Sequence, residues 1–153
     1  MATPTPFTAF NFSVEIDVEG VAKPICDAAF AECDGLEMTM DVKTIREGGN
    51  NGRQIRLTGP INYGQVTMKR GMTATFDLWN WFNLMLTSPW LRADANVVLF
   101  AADGTTERAR FLLSRCVPTR LKSPPLSAKD GGVAIEELQL SYESLSLIEP
   151  RSK

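Results

Sequence analysis

Hydrophobic and polar residues alternate along most of this chain, and the breaks in that alternation mark its architecture. In "AFNFSVEID" (9–17), Phe10, Phe12, Val14 and Ile16 alternate with Asn11, Ser13, Glu15 and Asp17, the period of a strand with one buried face. Glu19-Gly20 turns the chain. "AAFAECDGLEMTMDVKTI" then sets Leu36, Met38, Met40 and Val42 against Glu37, Thr39, Asp41 and Lys43, with Asp34-Gly35 as a turn or bulge inside it. "REGGNNG" interrupts the pattern: Gly48, Gly49 and Gly52 permit positive φ, and Asn50 and Asn51 tolerate it. Alternation resumes through Ile55 and Leu57, and after Gly59-Pro60 through Tyr63, Val66 and Met68. These segments predict antiparallel hairpins with polar outer faces.

Residues 74–87, "ATFDLWNWFNLMLT", follow a different rhythm. Phe76, Trp79, Phe82, Asn83 and Leu86 form one stripe at helical spacing, while Leu78, Trp81 and Met85 form a second. Asp77 suits the positive end of a helix, and Pro89 after Ser88 stops it. The apolar residues span more than the ~100° that covers one core. One stripe is therefore expected on the chain's own sheet and the other on a second partner such as a neighbouring subunit, the blander reading being a helix enclosed within one domain.

Strands return with "NVVLF" and "ERARFLLSRCVPTRL", a hairpin with Asp103-Gly104 at its tip, followed by a "KSPPLSAKDGG" loop. In the last segment Leu138, Leu140 and Tyr142 share a face, but Leu145 and Leu147 fall on the opposite parity. A switch near Ser144 implies a bulge or a strand that leaves one sheet for another. The predicted fold is mainly β: a small antiparallel β-barrel or sandwich of about seven strands, with one inserted α-helix and an extended hairpin arm. A single domain over 1–153 is expected, with a flexible N-terminus at 1–8.

Composition narrows the chemistry. At 153 residues and 44% hydrophobic, the chain can bury one real core. No apolar run approaches the ~20 residues of a membrane span, so no membrane anchor is expected. "MATPTPFTAF" lacks the charged and apolar regions of a secretory signal. Cys26, Cys33 and Cys116 form no CxxC, and the chain contains no histidine. Zinc binding and histidine-based acid/base catalysis therefore have little to build on. The cysteines are expected to be reduced core thiols of a protein made in the cytoplasm.

The formal net charge of −2 conceals an asymmetry. Residues 1–41 carry eight acids (Glu15, Asp17, Glu19, Asp27, Glu32, Asp34, Glu37, Asp41) against Lys23 alone, a balance of −7. Residues 42–73 carry six bases (Lys43, Arg46, Arg53, Arg56, Lys69, Arg70) against Glu47, a balance of +5. Opposite blocks suit self-association, one copy's basic arm meeting another's acidic face. They also suit two ordinary solvated strand faces.

The glycine-rich stretch is no phosphate loop, because it lacks a Gly-Lys-Ser/Thr ending and leads into a strand; a GxGxxG fingerprint is absent too. Nucleic acid fits poorly, since Tyr63 is the one aromatic among the bases and the acidic first third repels a polyanion. Glu136 and Glu137 adjoin along a strand and so point to opposite faces. Cys33 beside Asp34 is not an activated thiol. No enzyme activity and no cofactor is expected. Assembly fits better, because edge strands of successive copies can pair into a closed ring. The competing reading is a monomeric β-barrel module that binds an anionic ligand or nucleic acid through the 43–70 basic stretch.

The order of segments resembles the tail-tube family of contractile phages and related bacterial injection systems, with the type VI secretion tube as a distant relative. "FNFSVEID" is similar to the family's opening strand, "AAFAECDGLEMTMDVKTIREGGNN" to its F-x-E-C-x-G-L … REGG block, and "RLTGPINYGQVTMKRGMT" with "LWNWF" to the block that follows. Together they cover roughly residues 7–85, and "LQLSYESLSLI" matches the terminal strand. The commoner Leu-Pro-Gly is here Leu57-Thr58-Gly59, followed by Pro60.

The resemblance implies a structural subunit of homo-hexameric β-barrel rings, stacked into a tube inside a contractile sheath. Cargo effector protein or phage DNA would occupy the lumen, and spike and baseplate proteins would be further partners. It implies assembly in the bacterial cytoplasm and a mature place in a phage tail or a released injection particle. An assembly arm of Arg46, Glu47, Gly48, Gly49, Asn50, Asn51, Gly52 and Arg53 would reach a neighbouring subunit or ring. Phe76, Leu78, Trp79, Trp81, Phe82 and Met85 would pack at a subunit boundary, and Ser13, Glu15 and Asp17 are candidate lumen-facing residues. The wording of "GLEMTMDVKTIREGGNN" and "RGMTATFDLWNWF" leans slightly toward a first ring joining tube to spike or baseplate, with the long shaft remaining open.

Overall fold

Alternation in Phe12–Val18 (β1) becomes a strand with Val14, Ile16 and Val18 buried and Ser13, Glu15 and Asp17 outward. The computed structural model describes residues 11–21, 26–28, 30–46, 48–49, 52–72, 76–126, 128, 132 and 134–149. After β1 come Cys26–Ala28 (β2), Glu32–Asp34 (β3), Met38–Arg46 (β4), Gln54–Tyr63 (β5) and Gln65–Gly71 (β6). The helix Asp77–Thr87 (α1) leads to Ala93–Phe100 (β7), Glu107–Lys122 (β8), Ile135–Ser141 (β9) and Ser144–Ile148 (β10). The fold is mainly β, as expected. The described residues hold more strands than the predicted number because β2 and β3 are short additions and the last segment divides in two. The N-terminal segment expected to be flexible lies outside the described residues.

Strands pair antiparallel in the order β2-β1-β7-β8-β9-β6-β3, with β10 also on β8, and β4-β5 forms a separate two-stranded sheet. The large sheet does not close into a barrel, and the architecture is consistent with a sandwich or barrel-like fold. The 16-residue β8 serves both halves. Its first part pairs with β7 and β10, and Val117–Lys122 pairs with β9.

The change of partner falls at Arg115, which has φ 54, beside a register shift between Ala93 and Ala95. On the neighbouring course, β9 ends and β10 begins around Tyr142-Glu143, with the register on β8 unchanged across the break. Arg115 Nε donates to Glu143 Oε2 at 2.6 Å, and the Glu143 amide donates to Ser114 O at 3.0 Å. The parity switch expected near Ser144 is this passage of the strand from one half-sheet to the other.

The inner faces of both halves meet in one core. Val14, Ile16, Ala95, Val97 and Leu113 come from the first half, and Val66, Met68, Leu138 and Leu140 from the second. Helix α1 closes the core with Leu78 and Trp81, and Leu84 and Met85 pack against it. It begins later than the predicted 74; residues 73–75 lie outside the described set. Phe76 precedes it in the left-handed region, φ 51, and the Ser88 amide closes its end on Leu84 O.

The inward parity of β6 continues from Val66 and Met68 to Arg70, and that of β9 runs from Leu140 and Leu138 back to Glu136. Arg70 and Glu136 are cross-strand partners, 4% and 2% exposed. Arg70 Nε donates to Glu136 Oε1 at 2.8 Å, and its Nη1 donates to Asp77 Oδ2 at 3.1 Å. Arg70 Nη2 also pairs with Asp77 Oδ1. Trp79 Nε1 donates to the other Glu136 oxygen at 3.0 Å, and the Phe30 ring lies 5.4 Å from the guanidinium. These contacts fix the first turn of α1 to the strand ends. Glu136→Ala is expected to lower stability by about 3–5 kcal/mol, because it leaves a buried cation short of a partner; chemical denaturation followed by circular dichroism measures this.

Candidate functional site

The sequence-predicted arm is a two-stranded ribbon, longer than the Arg46–Arg53 segment. Among the described residues, β4 and β5 pair with each other and with no strand of the large sheet. Met40 faces Ile61 and Val42 faces Thr58, so Gly59 and Pro60 lie opposite Asp41 alone as a bulge. Near the root, Met38, Met40, Val42, Ile61 and Tyr63 share one face of the ribbon; beyond the bulge, Ile45, Ile55 and Leu57 occupy the other. Six of these apolar side chains (Met38, Met40, Val42, Ile45, Leu57, Ile61) are between 42% and 59% exposed. The expectation of a polar outer face on every hairpin therefore fails at the arm, which carries apolar surface on both faces.

The tip is the glycine-rich stretch. Gly48, Gly49, Gly52 and Arg53 are exposed; Glu47, Asn50 and Asn51 lie outside the described residues. Lys43, Arg46 and Arg56 are also exposed on the ribbon. The other two bases of the 43–70 stretch are engaged in the body: Lys69 lies 3.7 Å from Glu32, and Arg70 is in the buried network. This takes Arg70 from the surface on which an anionic ligand would depend, while Lys69 stays exposed in a surface ion pair. Arg70 and Glu136 are the residues whose pairing the sequence did not reveal. The signal that finds them is a charged residue at the core parity of each of two strands.

At its root the ribbon is held tightly. Gly35 has φ +108, and a Cβ there would lie 2.0 Å from Gln65 O. A Cβ on Gly64 would lie 2.5 Å from the Glu37 carboxylate. The two strands therefore leave the body through a close backbone crossing. Tyr142 is buried beside it, its ring centroid 5.7 Å from that of Tyr63 and tilted by 56°. The Tyr142 hydroxyl accepts from the Glu37 amide at 3.2 Å and faces the Gly35 and Glu37 carbonyls at 2.9 and 3.1 Å.

Other predicted site residues lie elsewhere. On α1, Leu78 and Trp81 are buried, Trp79, Phe82 and Met85 are half-buried, and Phe76 is 49% exposed. Leu86, on the stripe with Phe76, is 79% exposed, so the helix turns one stripe to the core and leaves much of the other open. Ser13, Glu15 and Asp17 form a row on the outward face of β1, beside Val98, Asn96 and Asp94 of β7. Hydrogen bonding to Glu107, and more weakly the charges of Glu107 and Glu15, raise the Arg110 guanidinium above its ordinary value. Between the end of β1 and the start of β7, Asp17, Glu19, Arg92, Asp94 and Arg115 line an open cavity of 390 Å³.

The described thiols are not poised for chemistry. Burial, reinforced by the Asp34 charge, pushes Cys33 up to about 12. Burial likewise pushes Cys116 up to about 12, and its Sγ lies 3.5 Å from Leu113 O. Cys26 lies on β2, and its side chain is outside the described set. Among the described residues, no group of acids and cysteines could hold a metal ion, and no helix is long and apolar enough to cross a membrane.

The described residues form a mainly β fold with one helix and a two-stranded ribbon that pairs with no strand of the large sheet. Residues 8–146 match the family described as T4-like virus tail tube protein gp19, and the chain belongs to that family. Its fold is shared with a chain of the anti-feeding prophage baseplate at TM-score 0.84 and 26% identity, over 96% of this chain and 98% of that one. A chain of the extended sheath–tube complex of the extracellular contractile injection system PVC gives 0.80 and 20%, over 95% and 93%. Hcp1 from Flavobacterium johnsoniae shares the fold more distantly, at 0.51 and 15% over 90% and 96%. Among curated proteins, none matches. The family and the first two of these neighbours are structural tube and baseplate proteins.

Two outcomes follow from this geometry. Gly35→Ala is expected to cost on the order of 3 kcal/mol through strain and clash, whereas Gly48→Ala, with no atom within 4 Å of its Cβ, changes stability by less than about 0.5 kcal/mol; urea midpoints compare the two. The raised thiols favour the folded state below pH 9.0, and this contribution falls as pH rises from 9.0 toward about 12, where the unfolded thiols ionise and the folded ones do not. The loss for fully buried Cys116 is about 1.4 kcal/mol per pH unit in that window. A Cys116→Ala variant should show a shallower decline in denaturation midpoint between pH 9 and 11, where about two pH units separate the arms.

Proposed function

We propose that this chain is a subunit of the inner tube of a contractile injection system or phage tail, acting as homo-hexameric rings that stack and pass cargo. The observation that carries this reading is the unpartnered ribbon on a chain of the tail tube family. An isolated two-stranded ribbon is marginal in water, and this one exposes six large apolar side chains. A neighbouring copy that covered them would gain roughly 25 cal/mol per Å² of apolar area. The arm at Arg46–Arg53 reaches that neighbour, its bases setting register against the neighbour's acidic surface.

The open stripe of α1, with Phe76, Trp79 and Phe82, packs at a subunit boundary. Ser13, Glu15 and Asp17 face the lumen, where effector protein or phage DNA travels. The sheath and the spike or baseplate are the further partners, and assembly takes place in the bacterial cytoplasm. Greater likeness to the baseplate chain than to the sheath–tube chain supports the ring at which tube joins baseplate.

Deleting Gly48–Gly52 is expected to leave a folded protein that forms no rings or tubes by negative-stain microscopy, with spike and baseplate partners present where the native chain needs them. Normal tubes from the deletion would remove the arm from the assembly. Dispersed 16.9 kDa particles that bind polyanions in a salt-dependent way would favour the monomeric binding module instead.

A further inference from the structure

We infer that Tyr142 is the positioning residue of the arm, its hydroxyl latching the incoming strand of the ribbon to the body so that the arm projects in one direction. The assembly consequence rests on the tube reading above; the latch itself rests on geometry alone. Between β3 and β4 the chain passes Gly35, Leu36 and Glu37 without pairing as strand. This is where the ribbon would pivot, since among the described residues β4 and β5 make no sheet pairing with the body.

Among the described residues, the Tyr142 side chain reaches across this pivot. Tyr142 accepts from the Glu37 amide at 3.2 Å and has the carbonyls of Gly35 and Glu37 within 2.9 and 3.1 Å, one of which takes its proton. Its ring packs near Tyr63, the last residue of the outgoing strand. One residue thus engages both strands of the ribbon at the level where they leave.

Tyr142 is itself held in place. It is 5% exposed and stands at the break between β9 and β10, where the sheet passes from one half to the other. The adjacent Glu143 is tied to Ser114 and Arg115. The direction of the arm is therefore referred to the corner of the sandwich as well as to the short span that leads into it. A fixed direction reduces the ordering entropy that a free ribbon would lose on docking.

Tyr142→Phe keeps the ring and removes the hydroxyl. Spin labels carried by non-natural residues at Arg53 on the arm and Ser146 on the body read the arm's direction by electron–electron resonance in dilute protein, alongside thermal unfolding and microscopy of assembly. The expected result is a single narrow distance in the native chain that is lost in the variant, with the cooperative unfolding transition retained. Ring or tube formation should slow by about tenfold, the factor set by one hydrogen bond of ordinary worth.

An unchanged distance distribution in the variant would overturn the latch. So would a broadened distribution with an unaltered assembly rate, because the direction would then not matter to docking. Should the distribution broaden while neither protein assembles with any partner, the latch stands and the tube reading fails. If the variant does not fold, Tyr142→Trp, which restores an aromatic ring and an N–H donor, replaces it; a narrow distance recovered by that donor supports the latch, and a broad one overturns it.

Discussion

A guanidinium kept from water needs anionic partners, and meeting that need organises one end of this molecule. Arg70 lies at a core position, so its charge must be answered by groups that are also inside. Glu136 answers it from the paired strand and Asp77 from the first turn of the helix, while the Trp79 indole satisfies the second Glu136 oxygen. With Asp77 and Trp79 both committed, the helix cannot rotate about its axis without breaking the network. That is what turns Leu78 and Trp81 to the core and leaves Phe76 and Leu86 open. The network thus determines both how the sandwich closes and which apolar stripe is offered outside it.

The opposite constraint operates at the arm. Among the described residues, no strand of the body pairs with β4 or β5, yet the ribbon carries large apolar side chains on both faces. Two strands that bury so little on their own are marginally stable, and their exposed edges invite pairing with another chain. The root, by contrast, is specified closely. Gly35 passes so near Gln65 that no side chain fits, and Tyr142 binds the backbone on either side of Leu36. A firm root with an unsatisfied blade is the form expected of a subunit whose stability is completed by its neighbours.

Charge works in the same direction. The four bases Lys43, Arg46, Arg53 and Arg56 stay exposed on the arm, and the acids of β1 stay on an outward face. Of the two bases nearest the body, Arg70 is buried in the network and Lys69 sits in an exposed ion pair with Glu32. Opposite charge therefore sits on separate parts of the chain, where it can set the register between copies more readily than the stability of one.

Strand parity was written in the residues: Val14 and Ile16, Val66 and Met68, and Leu138 and Leu140 all lie inward as their alternation requires, because a period of two leaves one choice of face. The helix, its two stripes, the Asp103-Gly104 hairpin and the interruption near Ser144 were equally legible, each resting on local geometry. Segment order also pointed to the tail tube family. Three things were not local. The isolation of β4 and β5 from the large sheet depends on what other strands leave unpaired, so two apparently ordinary amphipathic segments became an exposed arm. Arg70 counted as one base of the 42–73 block and Glu136 as one of two adjoining acids, until pairing across β6 and β9 placed them together at the helix start. Tyr142 read as one more core aromatic, since its distance from Gly35 and Glu37 along the chain exceeds a hundred residues. Alternation decides which way a side chain faces; only the closed chain decides what it meets there, because hydrogen bonds and ion pairs depend on contacts that no sequence window contains.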